Sequence, residues 1–194
     1  MHRHIGIYAG TFDPIHTGHV AFALSAQEFF GLNEVIFLPE AVPRNKLNVT
    51  ALGHRIALIQ HETAEHAGLR VGRLRARQFT VRDALPEIYQ MFGCDGLVFL
   101  FGSDVVPSLV HWEGIATMLS RHVFVVGLRG QDSEESVDCT FLHLQQEYSM
   151  PVRWATLQSP SPHTSSSKIK QLDNRFVELS DESREYIAKH GLYL

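Results

Sequence analysis

The stretch Gly10-Thr-Phe-Asp-Pro-Ile-His-Thr-Gly-His19 constrains this chain more than any other. An apolar run, Ile5-Gly-Ile-Tyr-Ala9, precedes it, and a helix-like pattern, Val20 to Phe30, follows. A buried strand that turns through a glycine loop into a helix gathers backbone N–H groups and a positive helix end at one spot, which suits phosphate. His16 and His19 stand three positions apart, so a helix beginning near His16 carries both imidazoles on one face. Two rings able to donate protons there match the bridging and terminal oxygens of an oligophosphate. Either histidine alone would read as a solvated turn residue; the pair behind this turn points to a phosphate site. A zinc pair is the weaker alternative, because no third ligand of matching type sits nearby.

Composition narrows the classes. At 194 residues the chain fits a single domain, 1–194, with a full-sized core and a C-terminal helical part from about 160 to 194. The net charge of −4 offers no field for DNA or RNA, so no nucleic acid is expected as a partner. Cys94 and Cys139 follow no metal or redox spacing and read as thiols of a reducing compartment. No apolar run is long enough to span a bilayer, and the start, Met1-His-Arg-His, lacks a signal-peptide core. A cytoplasmic protein without a membrane partner is the expectation.

Strand and helix patterns alternate along the chain. Glu34 to Leu38 reads as a strand buried on both faces and stopped by Pro39, and Glu40 to Thr50 as the loop at its carboxyl end. Thr50 caps a helix around His54 to His61. Leu69 to Leu74 alternates like a third strand. Thr80 to Phe92 has helical spacing ended by Gly93, starting at or kinked by Pro86. Gly96 to Phe101 is an apolar strand followed by the turn Gly102-Ser-Asp104, then a helix from Trp112 to Leu119 and a strand from His122 to Gly127. Arg129 to Ser136 reads as a polar, mobile segment, and Thr140 to Tyr148 as amphipathic without a decided type. Val152 to Leu157 resembles a last strand. A Ser/Pro-rich loop, Ser159 to Ser167, feeds a short helix from Lys168 to Leu172, and Ser180 caps a final helix that ends at Gly191. This order predicts an α/β fold with a Rossmann-like, doubly wound, mainly parallel sheet. Its ligand belongs beyond the carboxyl ends of the strands, where the strand order reverses.

The first motif resembles the signature of the HxGH nucleotidyltransferases, most closely the nicotinate-mononucleotide adenylyltransferases, whose close relatives are the pantetheine-phosphate adenylyltransferases and the cytidylyltransferases. The resemblance makes His16 and His19 catalytic and places Gly10, Thr11, Phe12 and Gly18 at ATP. Ser165-Ser-Ser-Lys-Ile-Lys170 puts hydroxyls and N–H groups at a helix start with a cation one turn along. By itself this is a capping cluster. It is similar to the family's Ser-Ser-Thr-x-Ile-Arg motif, which implies ATP contacts from Ser165, Ser166, Ser167, Ile169 and Lys170, although Lys170 loses the bidentate fork of arginine. Pro43-Arg-Asn-Lys46 and His54-Arg55 resemble a family loop in which Lys46 meets phosphate and Arg55 holds the loop or the nucleotide. Asn45 stands there in place of a histidine.

Gly102 and Asp104 offer a glycine for close approach and a carboxylate for a ribose diol. Trp112 would ordinarily be core. Its separation from Asp104 is similar to the family's, which implies stacking on a pyridine ring. Thr80 is similar to the threonine of a Tyr-Thr segment lining the pyridine carboxylate pocket, although Arg82 occupies the position of the family's aspartate. Tyr186-Ile187 and His190-Gly-Leu-Tyr193 resemble the closing helix and tail, which are structural. The implied reaction is transfer of AMP from ATP to nicotinate mononucleotide, with Mg2+ carried on the nucleotide, no dedicated metal ligands and no nucleophilic Ser or Cys. Nicotinamide mononucleotide or phosphopantetheine as acceptor, or a nucleotide-binding module without catalysis, are the alternatives. Homo-oligomerisation is left open.

Overall fold

The computed structural model describes residues 4–44, 46–128, 132–158, 166 and 178–193. Six strands, β1 (Ile5–Gly10), β2 (Glu34–Pro39), β3 (Leu69–Val71), β4 (Leu97–Gly102), β5 (Val123–Leu128) and β6 (Arg153–Gln158), form one sheet in the order β3-β2-β1-β4-β5-β6. Every pairing is parallel, with Ile5 opposite both Glu34 and Leu97. The helices are α1 (Thr17–Phe29), α2 (Leu52–Thr63), α3 (Val81–Phe92), α4 (Ile115–Leu119), α5 (Glu134–Glu147) and α6 (Asp181–His190), with a 3-10 helix at Ser103–His111.

Helices cover both faces, which explains why the strands read as unbroken apolar runs. Successive side chains alternate between two cores. Ile5, Ile7, Ile36, Phe99, Phe101 and Phe124 pack with α3, α4 and α5 on one face. Tyr8, Val35, Phe37, Val98, Leu100 and Val125 pack with α1, α2 and α6 on the other. Parallel strands also put every carboxyl end, and the loop after it, at one edge. The order reverses between β1 and β4, so the crevice opens there, above the Gly10-to-His16 turn.

Four expectations need correction. β3 stops at Val71 instead of running to Leu74: Gly72 N still donates to Phe37 O of β2 at 2.8 Å, but the chain then leaves the sheet, and the Glu87 carboxylate of α3 accepts from Arg75 N at 2.6 Å and Ala76 N at 3.2 Å. Thr50 does not cap α2. Ala51 holds the N-cap position, while the backbone of Thr50 is engaged by Asp13 and Arg55. No helix runs from Trp112 to Leu119: Trp112 ends the 3-10 helix, and Gly114 in the left-handed region (φ 78°) precedes α4. The end of the segment read as mobile is the first turn of α5. There Ser133 caps through Ser136 N, and Glu134 and Glu135 lie against the positive helix end. α3 runs through Pro86 from a start at Val81. The helix expected over 168–172 lies outside the described residues.

At the opposite edge of the sheet, His122 is 1% exposed beside the start of β5. Burial, reinforced by the charges of Arg121 and Arg153, lowers its pKa to about 4. The ring is therefore neutral at pH 7, and its Nε2 shares a hydrogen bond of 2.6 Å with the Tyr89 hydroxyl. A depressed pKa means that the unfolded chain takes up this proton first as pH falls. The contribution to stability is complete above the ordinary value near 6.5 and declines down to about 4. Urea unfolding should show a wild-type advantage over His122→Gln at pH 7 that shrinks by roughly 2–3 kcal/mol at pH 4.

Candidate active site

The turn after β1 is built around Phe12. Its backbone lies in the left-handed region (φ 49°), the Asp13–Pro14 peptide bond is cis, and its buried ring packs against Tyr8, Phe37 and His19. Gly10 is glycine for a steric reason, since a Cβ there would stand 3.0 Å from the Phe12 ring. His16 caps α1 in an extended conformation and brings its ring centroid within 3.7 Å of that of His19. The His16 backbone N–H donates to His19 Nδ1 at 3.3 Å. That bond assigns the neutral tautomer, leaving the proton of His19 on Nε2 as a donor.

A cleft of about 380 Å³ opens at this turn. Of the residues singled out from sequence, Gly10, Thr11, Phe12, His19, Lys46, Gly102, Asp104, Trp112 and Ser166 line it. Ser166 is tied to the turn through its hydroxyl, which donates to Pro14 O at 2.9 Å. His16, 1% exposed, stands behind His19 rather than on the wall, and Gly18 is buried in the first turn of α1. Ser165, Ser167, Ile169, Lys170 and Asn45 lie outside the described residues. Trp112 is half-buried against Phe79 and Phe101, and its indole N–H donates to Ser108 Oγ at 3.1 Å. It separates the cleft from a second groove of about 320 Å³ lined by Arg44, Thr80, Arg82 and Asp83.

Thr80 stands elsewhere than the resemblance implied, and of the two roles implied for Arg55 the structure shows the loop-holding one. Thr80 is the N-cap of α3: its hydroxyl accepts from Asp83 N and donates to the Asp83 carboxylate at 2.9 Å, so it is committed to the helix end and faces the second groove. Arg55 does not line the cleft. It is fully buried, and its guanidinium donates to the carbonyls of Thr50 (2.8 Å), Thr11 (2.7 Å) and Glu40 (2.8 Å). Burial pulls its pKa below the ordinary value, with Asp13 the foremost opposing charge. Arg55 thus holds the loops after β1 and β2 together.

Sequence reading passed over Glu40, which lines the cleft beside Phe79, the residue before Thr80 in the segment singled out from sequence. The Glu40 carboxylate accepts from Phe79 N at 2.7 Å and so fixes the wall behind Trp112. The position of Glu40 directly after a buried parallel strand was the available signal. Glu40 and Asp104 are the carboxylates on the cleft wall, and among the described residues no three His, Cys, Asp or Glu side chains converge as a metal-binding group.

The family model for cytidylyltransferase-like proteins matches residues 7–172. A probable nicotinate-nucleotide adenylyltransferase of Clavibacter michiganensis is 35% identical over 68% of each chain. One from Tropheryma whipplei is 30% identical over 95% of this chain and 96% of its own. The chain belongs to the nicotinate-nucleotide adenylyltransferase family. The fold is shared with a Plasmodium falciparum nicotinic acid mononucleotide adenylyltransferase complexed with APC, at a TM-score of 0.77 and 18% identity over 99% of this chain and 98% of that one. The Plasmodium falciparum protein complexed with NaAD gives the same TM-score at 19% identity and the same coverage.

In this family member the Arg55 clamp should be worth measuring apart from turnover. Replacing it by methionine strands three buried carbonyls and should cost about 3 kcal/mol or more in denaturant unfolding. Arg55→Lys, with one ammonium in place of a planar fork, should recover less than half of that loss.

Proposed function

We propose that the protein transfers AMP from ATP to nicotinate mononucleotide, yielding deamido-NAD and pyrophosphate. The observation that carries this reading is the juxtaposition on one cleft of His19, its donor tautomer fixed, with Lys46 and with the Trp112 face. Family membership favours a pyridine mononucleotide as acceptor, and the names of the relatives favour the acid.

In the reaction the acceptor phosphate attacks the α-phosphorus of ATP in line. A new P–O bond forms as the bond to the bridging oxygen breaks, and pyrophosphate leaves with that electron pair. The attacking group is already an anion, so no protein nucleophile or general base is needed. Catalysis then rests on alignment and on stabilising charge that grows on the α-phosphoryl and leaving oxygens. His19, seated against the buried His16, acts on the α/β region and Lys46 on the phosphates across from it. The hydroxyls of Ser165, Ser166 and Ser167 and the cation of Lys170 act on the β/γ side. Gly10, Thr11 and Phe12 form the floor for the nucleotide, Asp104 receives the ribose, and Trp112 presents its flat face to the planar base of the acceptor.

The wall's two carboxylates, one already bonded to Phe79 N, suit a magnesium ion held mainly by phosphate oxygens and water. Such an ion supplies neutralising charge on the triphosphate. ATP as the donor and a reducing, cytoplasmic setting for Cys94 and Cys139 belong to the same reading.

The test is pyrophosphate release from ATP, measured with nicotinate mononucleotide, nicotinamide mononucleotide and phosphopantetheine in parallel. The first should be turned over with the highest kcat/KM; nucleotide binding without release by any of them would indicate a non-catalytic module. His19→Ala should lower kcat by ~10²–10³, the loss typical of one transition-state donor. Near-normal turnover would contradict the role given to this ring.

A further inference from the structure

Asp13 sits in the middle of the phosphate-binding turn yet is not on the cleft wall. It is 4% exposed, and its two carboxylate oxygens accept from distant parts of the chain. Oδ2 accepts from Thr50 N at 3.3 Å, in the loop after β2. Oδ1 accepts from the Tyr193 hydroxyl at 2.8 Å, beyond α6. Thr50 O accepts in turn from Arg55, which also holds Thr11 O. The turn is thereby gripped on both sides of Phe12, by Arg55 at Thr11 and by Tyr193 at Asp13.

Tyr193 is brought there by a built anchor. Ser180 donates twice to the Glu62 carboxylate of α2, at 2.8 and 2.9 Å, and starts α6. Ile187 of α6 is 1% exposed in the core, and the Tyr186 hydroxyl lies 2.9 Å from His54 Nδ1. Gly191 ends the helix in the left-handed region (φ 59°) and turns the chain back toward the sheet. Tyr193 itself is held at φ 60°, a region costly for a side-chain-bearing residue, which marks a position over-determined by its surroundings. Burial, and then the nearby Asp13 carboxylate, raise the phenol well above its ordinary pKa, while hydrogen bonding from Thr50 and the Arg55 charge oppose this. Its proton therefore stays in place at neutral pH.

We propose that Tyr193 is a positioning residue for adenylyl transfer: through Asp13 it sets the turn that carries His16 and His19. It touches neither nucleotide. The inference rests on the adenylyltransferase reading and goes beyond it by giving a segment remote in sequence a kinetic role. Loss of the hydroxyl leaves the Asp13 carboxylate with one donor fewer and frees the turn to shift relative to Lys46, without disturbing the Trp112 wall.

The experiment uses the full chain and compares wild type, Tyr193→Phe, Asp13→Asn and the double variant. Tyr193→Phe keeps the ring and removes only the donor. Its kcat should fall 5- to 20-fold, while KM for the mononucleotide stays within about twofold and the thermal midpoint stays well above the assay temperature. Because the two residues act as a unit, the double variant should lose no more than the worse single one. Unchanged kcat in Tyr193→Phe, strictly multiplicative losses in the double variant, or a kcat loss that tracks the unfolded fraction would each overturn the inference. The Tyr193→Phe comparison decides the matter even if Asp13→Asn does not fold. No pyrophosphate release from the wild type would overturn the adenylyltransferase reading and this inference with it, whereas normal turnover in Tyr193→Phe overturns this inference alone.

Discussion

A guanidinium buried among carbonyl oxygens holds this active site in one piece. Parallel strands deliver their loops to a common edge, but nothing in the ladder hydrogen bonds says how those loops meet. Arg55 supplies that instruction. Its planar fork reaches Thr11 after β1 and Glu40 after β2, and its Nε reaches Thr50 at the foot of its own helix. Carbonyl dipoles, with Asp13 near by, stabilise the charge where water is excluded. The geometry of the phosphate turn relative to Lys46 follows from this contact more directly than from any residue on the cleft wall.

The two histidines illustrate how backbone and side chain divide the work. His16 serves as a cap and packs its ring on His19, while its N–H decides which nitrogen of His19 keeps the proton. In the proposed reaction the donor is thus oriented before a nucleotide arrives, and little rearrangement is left for the step itself. Phe12 contributes from below: its ring fills the space under Gly10 and brings a rigid aromatic surface against His19.

Local chemistry made much of this readable from the chain. Buried parallel strands are continuous apolar runs, so β1, β2, β4 and β5 could be found within a residue or so, and the Gly10-to-His19 turn stood out by its glycines and paired histidines and does border the cleft. What could not be read depends on contacts between distant residues. Arg55 reads equally as holding a loop or a nucleotide until the three carbonyls around it are known. Thr80 looks available until its hydroxyl is seen on Asp83, and Asp13 gives no hint of a partner 180 positions away. The 3-10 helix was hidden because its pattern, interrupted by Pro107 and followed by Gly114, matches neither a helix nor a strand period. Ser165 to Lys170, apart from Ser166, lies outside the described residues, so that motif stands on its resemblance.

The buried Tyr89–His122 pair lies at the amino ends of the strands, with the whole sheet between it and the nucleotide cleft. The molecule therefore has a chemical pole and a structural pole. Selection, or an engineer, can adjust acid tolerance at the structural pole while leaving catalytic geometry alone.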